Sequence, residues 1–182
     1  MSWKKTEHRY GSLSIALHWL MLVLIAAVYF TMEFRSLFPK GSDGRALMIQ
    51  AHFMLGLTVF ALVWMRLLAR LIAPAPRIVP AIPVWQAIPA KLMHLALYVL
   101  MIGLPIAGWL ILSAKGKPIP FYGLELPALI GKNPDLAEQI EHWHVLIAEA
   151  GYWLIGLHAA AALFHHYISR DNTLTRMLPR RS

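Results

Sequence analysis

Cysteine is absent from all 182 residues. That excludes disulfides, thiolate zinc sites and iron–sulfur clusters, and without a Cys-x-x-Cys-His run there is no covalent haem attachment of the c type. Charge is scarce too: Asp, Glu, Lys and Arg make up 14% of the chain, nine acidic residues against 17 basic ones. A net charge of +8 would suit a nucleic-acid binder if the Lys and Arg residues formed a basic domain. They lie beside apolar runs instead, so membrane orientation accounts for them better. Any redox chemistry must rest on a cofactor held without sulfur. No repeat and no composition change marks a second domain, so residues 1–182 read as one.

What the chain does have is apolar length. Hydrophobic residues are 58% of it and the mean hydropathy is +0.55. Four windows, near 13–32, 46–65, 92–114 and 141–169, reach the roughly 20 residues that span a hydrocarbon core. In lipid each segment must satisfy its own backbone, so these are helices; a barrel would show short alternating strands. The expected architecture is all-α, an integral membrane four-helix bundle with helices at about 12–34, 45–72, 89–114 and 136–170. The first run follows "MSWKK" but lacks a small-x-small cleavage site, so it reads as a retained helix rather than a secretion signal.

Orientation follows from the basic residues. Eleven (Lys4, Lys5, Arg9, Arg66, Arg70, Arg77, Lys91, Arg170, Arg176, Arg180 and Arg181) flank the side that carries both termini, and six (Arg35, Lys40, Arg45, Lys115, Lys117 and Lys132) flank the other. The positive-inside rule then places both termini in the cytoplasm. The inner connection "APAPRIVPAIPVWQAIP" is proline-rich enough to be expected extended. The longer outer connection is expected to fold over the bundle mouth, with Asp135 capping helix 4.

The residues out of place are histidines. An ionisable group inside a membrane is costly and suggests function. His144, Gly151, His158 and His165 recur every seven residues and share one broad face of helix 4. His144 and His158 stand about 21 Å apart along the axis, one near each surface. Helix 1 starts inside, so His18 is level with His158; helix 2 starts outside, so His52 is level with His144.

Two depth-matched imidazole pairs facing across gaps between helices are axial sets for haem iron. The reading is a di-haem b-type bundle, His18/His158 holding one haem and His52/His144 the other. Gly56 and Gly151 would let flat porphyrins lie against the backbone. A zinc or copper site would gather its ligands at one depth, and a proton relay would add buried carboxylates, of which only Glu149 qualifies. His94 enters helix 3 on the inner side, where it could replace an inner ligand, bind a propionate or contact substrate. His165 lies at the cytoplasmic boundary, placed either to donate to a quinone carbonyl or simply as an interfacial polar residue. His8, His142 and His166 read as solvent or headgroup facing. Trp19, Trp64, Trp109 and Trp143 read as interface anchors.

"LHWL", "QAHFMLG", "EHWHVLIAEAGYWLIGLHAAAALFHHY" and "DNTLTRMLPR" resemble the prokaryotic cytochrome b561 family over essentially the whole chain, and most closely its superoxide oxidase branch. The resemblance implies a four-helix inner-membrane di-haem cytochrome whose ligand motifs fall on His18, His52, His144 and His158. It also implies an inner quinone pocket at His165, with Arg77 and His94 as further candidates. The proline-rich loop departs from near relatives in having Arg77 and no lysine between Arg70 and Lys91. The implied reaction takes an electron from superoxide outside, leaving dioxygen, and reduces ubiquinone to ubiquinol near the cytoplasmic side. Arg35, Lys115 and Lys117 would draw the anion to the outer mouth. The alternative is an electron-carrier subunit working between quinone and a partner redox enzyme. The sequence sets no oligomeric state; a monomer is the working expectation.

Overall fold

The computed structural model describes residues 9–73 and 75–179. Lys4, Lys5, His8, Arg180 and Arg181 lie outside the described residues. Four helices follow one another: α1 (Ser12–Glu33), α2 (Asp43–Ile72), α3 (Val84–Ala114) and α4 (Pro134–Tyr167). All four are long and apolar enough to cross a membrane. Their outward faces carry large apolar side chains, Ile72 and Trp153 being more than 80% exposed. A hydrocarbon surround makes such exposure favourable where water would not.

Helix starts follow local chemistry. The Ser42 side chain accepts from Arg45 N–H to cap α2, with Asp43 in the first turn where the helix dipole favours negative charge. At α4 the cap is Asn133, accepting from Leu136 N–H at 3.1 Å, with Pro134 opening the helix. Asp135, the expected cap, is therefore the second residue of the helix. Proline at the first helical position loses no bond, which puts the cap two positions nearer the N-terminus. The proline-rich connection is also more helical than expected, since α3 begins at Val84 and runs through Pro89 and Pro105. Pro89 forfeits one backbone bond near the helix start, and burying Trp85 and Ile88 in lipid offsets that.

The helices pack consecutively, α1 on α2, α2 on α3 and α3 on α4. An apolar core of Met21, Val59, Val63 and Met101 joins the first three at mid-height. α4 packs on α3 and is joined to α1 by Tyr29 Oη–H donating to the Ala148 carbonyl and Tyr152 Oη–H donating to Glu33. Both termini leave from one end, called here the terminal end; the opposite is the far end.

The far end is closed by the α3–α4 connection. It forms a two-residue-per-strand hairpin, β1 (Pro120–Phe121) and β2 (Leu124–Glu125), turning through Tyr122 and Gly123 with positive φ. Ile119, Phe121 and Leu126 pack onto Leu57, Leu112 and Trp109. Trp109 Nε1–H donates to the Pro127 carbonyl at 2.9 Å, so this tryptophan anchors the lid. The expectation that this loop folds over the mouth agrees with the structure.

At the terminal end the α2–α3 connection is a strap laced to the C-terminal tail. Asn172 exchanges bonds with Val79 on both strands of chain, at 2.9 and 3.1 Å, and Arg176 Nη1 donates to the Pro76 carbonyl at 2.8 Å. Trp19 Nε1–H donates to Met177 O at 2.8 Å, tying the tail to α1.

Candidate functional site: two histidine pairs and a histidine–aspartate dyad

Each helix contributes its histidines at the depth its direction dictates. At the far end the His52 and His144 rings face each other with centroids 6.2 Å apart and planes crossed by 72°. At the terminal end His18 and His158 lie 6.4 Å apart, crossed by 77°. The sequence-derived pairs are therefore brought together as pairs. His94 joins the terminal-end pair, its ring 5.4 Å from that of His158. His94 on α3 is thus drawn to His158, which itself stands two helical turns along α4 from His165.

The far-end pair borders a cavity of about 340 Å³ that Gly56, Gly108, Tyr29 and Arg35 also line. His52 Nδ1–H donates to the Val28 carbonyl at 3.1 Å. A carbonyl only accepts, so this bond fixes the tautomer and leaves the Nε2 lone pair free. Among the described residues His144 Nδ1 is buried without a well-formed hydrogen bond, with the Leu104 backbone beside it. Its ring borders the cavity with a looser hold than that of His52.

The two candidate glycines separate here. Nothing lies within 4 Å of a Cβ added at Gly56, whereas one added at Gly151 would collide with Tyr29 Oη and crowd Leu100. Gly56 keeps a slot open, as expected. Gly151 does not: it is where α1 and α3 side chains press against α4, and Tyr29 Oη–H donates to the neighbouring Ala148 carbonyl at 2.7 Å.

The terminal-end pair is differently bonded. Arg66 Nη2 donates to His18 Nδ1 at 2.9 Å. Guanidinium can only donate, so a neutral His18 carries its proton on Nε2, the opposite tautomer to His52. Arg66 stands inside the apolar run of α2, where "ALVWMRLLAR" was the signal.

The third feature lies beyond the pairs. His165 Nδ1 is 2.5 Å from Asp171 Oδ2, and these side chains are only 13% and 1% exposed. The other carboxylate oxygen accepts from Thr173 N–H at 2.8 Å. Burial disfavours the Asp171 carboxylate, yet the bonds from Thr173 and His165 outweigh it and hold its pKa below the ordinary value. Arg77 is brought to the same end, its carbonyl accepting from Asn172 Nδ2 at 3.3 Å, with an exposed side chain. At the far mouth Lys115 is ion-paired with Glu141, so it does not offer the free cation expected of it; Lys117 is exposed and Arg35 lines the cavity.

Sequence comparison assigns the family. The family model for prokaryotic cytochrome b561 matches residues 9–180. The chain belongs to the prokaryotic cytochrome b561 family. It is 41% identical to Cytochrome b561 homolog 1 of Escherichia coli (strain K12), over 96% of this chain and 99% of that one. It is 38% identical to Probable superoxide oxidase CybB of Yersinia pestis, over 95% and 97%, and 31% identical to Cytochrome b561 homolog 2 of Escherichia coli (strain K12), over 100% and 97%. Membership makes it a multi-pass membrane cytochrome, a protein that binds haem b and moves electrons.

The residues present fit that cofactor. Two imidazoles bound to one metal from opposite faces, with metal–nitrogen bonds of about 2 Å, bring their ring centroids to roughly 6.3 Å. The spacings of 6.2 and 6.4 Å match, and 5.4 Å for His94 with His158 is too short to admit an iron. The open slot at Gly56 points the same way.

Proposed function

We propose that this cytochrome b561 is a di-haem superoxide:ubiquinone oxidoreductase of the bacterial inner membrane, with its terminal end cytoplasmic. The observation that carries the reading is the presence of two crossed histidine pairs, one towards each end of the bundle, both at the spacing that iron between two imidazoles requires. His52 and His144 would hold one haem and His18 and His158 the other; when bound, the haems supply reversible one-electron chemistry. The name borne by the Yersinia pestis relative supports superoxide as the donor, and the basic residues at the terminal end support the orientation.

The protein's own part is positioning and access. The Val28 carbonyl orients His52 through Nδ1–H, and Phe121, Ile119 and Leu126 cover the far end against water. His52 and His144 would both be given to the haem, so superoxide would approach the far site at its rim, where the Arg35 guanidinium lines the cavity and attracts the anion against the opposing pull of Glu33 and Glu149. At the terminal end His165 and Arg77 are the polar groups that would receive quinone. Two one-electron oxidations of superoxide supply the two electrons, and two protons complete the quinol.

Purified protein alone, given enzymatically generated superoxide and a short-chain ubiquinone, should form ubiquinol in a one-to-two ratio to superoxide consumed. Quinone left unreduced by superoxide but reduced once a partner redox enzyme is added would establish the carrier-subunit alternative instead.

A further inference from the structure

We propose that Asp171 is a positioning residue for quinone reduction, holding His165 with its proton on Nδ1 and turning Nε2 outward as the atom that exchanges a proton with the quinone oxygen. The inference rests on the reading of His165 as the quinone-facing residue. Its basis is the nearly buried pair, 2.5 Å between His165 Nδ1 and Asp171 Oδ2.

The local chain is arranged to hold this contact. After α4 ends at Tyr167, Arg170 turns the backbone with φ 54° and Asp171 N–H returns to the His165 carbonyl at 3.1 Å. The carboxylate thus comes back against the residue six positions before it. Both oxygens are engaged as acceptors, Oδ2 from His165 and Oδ1 from Thr173 N–H. A carboxylate can only accept from both sides; that leaves Nδ1–H as the one hydrogen-bonded state for neutral His165. The buried carboxylate of a catalytic triad holds its imidazole by the same logic. The other titratable side chains named at this end are bases, His166 on α4, Arg170 beside the acid, Arg77 in the strap, Arg176 in the tail, and Arg66 and Arg70 on α2. None of these is a carboxylate that could replace Asp171.

The step balances simply. Quinone takes up two electrons, which two superoxide ions supply on becoming dioxygen, and two protons to give quinol. His165, as imidazolium, transfers its Nε2 proton to one carbonyl oxygen and is reprotonated at Nε2 from water, while Nδ1–H stays on Asp171. The second proton also comes from water at that surface.

Asp171→Asn tests this with almost no change of shape. Its single acceptor oxygen is claimed by Thr173 N–H, so the amide nitrogen faces His165 as a donor and forces the proton to Nε2. Imidazole nitrogen-15 spectra of the haem-loaded, ferrous protein should show His165 protonated on Nδ1 in the parent and on Nε2 in Asp171→Asn. Haem content and the rate of haem reduction by superoxide should stay unchanged, while haem reoxidation by a short-chain ubiquinone slows about tenfold or more. Asp171→Glu, which keeps two acceptors, should retain the parent tautomer and reoxidise within about threefold of it. An unchanged tautomer in Asp171→Asn overturns the positioning role directly. An inverted tautomer with reoxidation unchanged there and in His165→Leu overturns the proposal from the other side, by removing the quinone from His165.

Discussion

The two ends of the bundle solve one problem with opposite bonding. At the far end the imidazoles are prepared and left open: His52 is held by a backbone carbonyl, His144 is held more loosely, and Gly56 leaves room beside them. At the terminal end the protein fills the same roles itself, with Arg66 on His18 and His94 against His158. The difference teaches that equal ligand spacing need not mean equal preparation. In the proposed far-end site His52 already has Nε2 free, whereas His18 would offer Nε2 to a metal only after Arg66 releases Nδ1. Among the described residues the terminal end also carries a His–Asp dyad with no counterpart at the far end, as the proposed proton-consuming reduction of quinone there would use.

The largest expected effect breaks the comparison at its foundation. His52→Ala or His144→Ala should remove one haem per chain, and His18→Ala or His158→Ala the other. Haem per protein by pyridine haemochrome assay would fall from two to one in each. Spectra and redox titration should show different haems surviving in the two sets. His94→Ala should keep both haems. If it loses one while His18→Ala does not, His94 is the ligand and the 5.4 Å spacing opens on loading.

A medium effect sharpens the comparison. A fixed positive charge about 8 Å from a redox centre, at an effective dielectric near 20, is worth about 2 kcal/mol, or roughly 90 mV for a one-electron couple. Arg66 is bonded to His18, a terminal-end residue. Arg66→Met should therefore lower the midpoint potential of the terminal-end haem by about 50–100 mV and leave the far-end haem unmoved. Equal shifts in both would mean that Arg66 acts on the whole bundle.

Much of this was legible before any coordinates. Four apolar runs and the depth of each histidine follow from helix rise and direction alone, which is why His18 fell level with His158 and His52 with His144. Gly151 misled, because an absent side chain reads the same whether a ligand or a neighbouring Tyr29 fills the space. The cap on α4 shifted because Asn133 and Asp135 both suit capping and only the helical position of Pro134 decides between them. Asp171 was missed although its signal was available: apart from Glu7, it is the chain's only acidic residue on the terminal side. What sequence could not supply was the reversal at Arg170 that returns the acid to His165. Spacing along a helix is set by the helix, but a contact made through a turn depends on where the helix stops.

The smallest effect lies at the far mouth and tests which cation there carries the field. Lys115 and Glu141 form a partly exposed ion pair, their side chains 31% and 51% exposed, and such pairs contribute little to stability. Paired, they also nearly cancel in their pull on an approaching anion. Among the described residues no carboxylate lies within ion-pair distance of Arg35, whose guanidinium instead meets Met32 Sδ at 3.6 Å. Arg35→Ala should thus slow haem reduction by superoxide roughly three- to tenfold at low ionic strength, the deficit shrinking as salt screens the field. Lys115→Ala should change the same rate by less than about twofold, and Glu141→Gln, which unmasks Lys115, should raise it slightly. Initial rates of haem reduction against salt concentration compare all three. A Lys115→Ala loss as large as that of Arg35→Ala would show that the pair opens in solution and that the rim, not the cavity wall, steers the substrate.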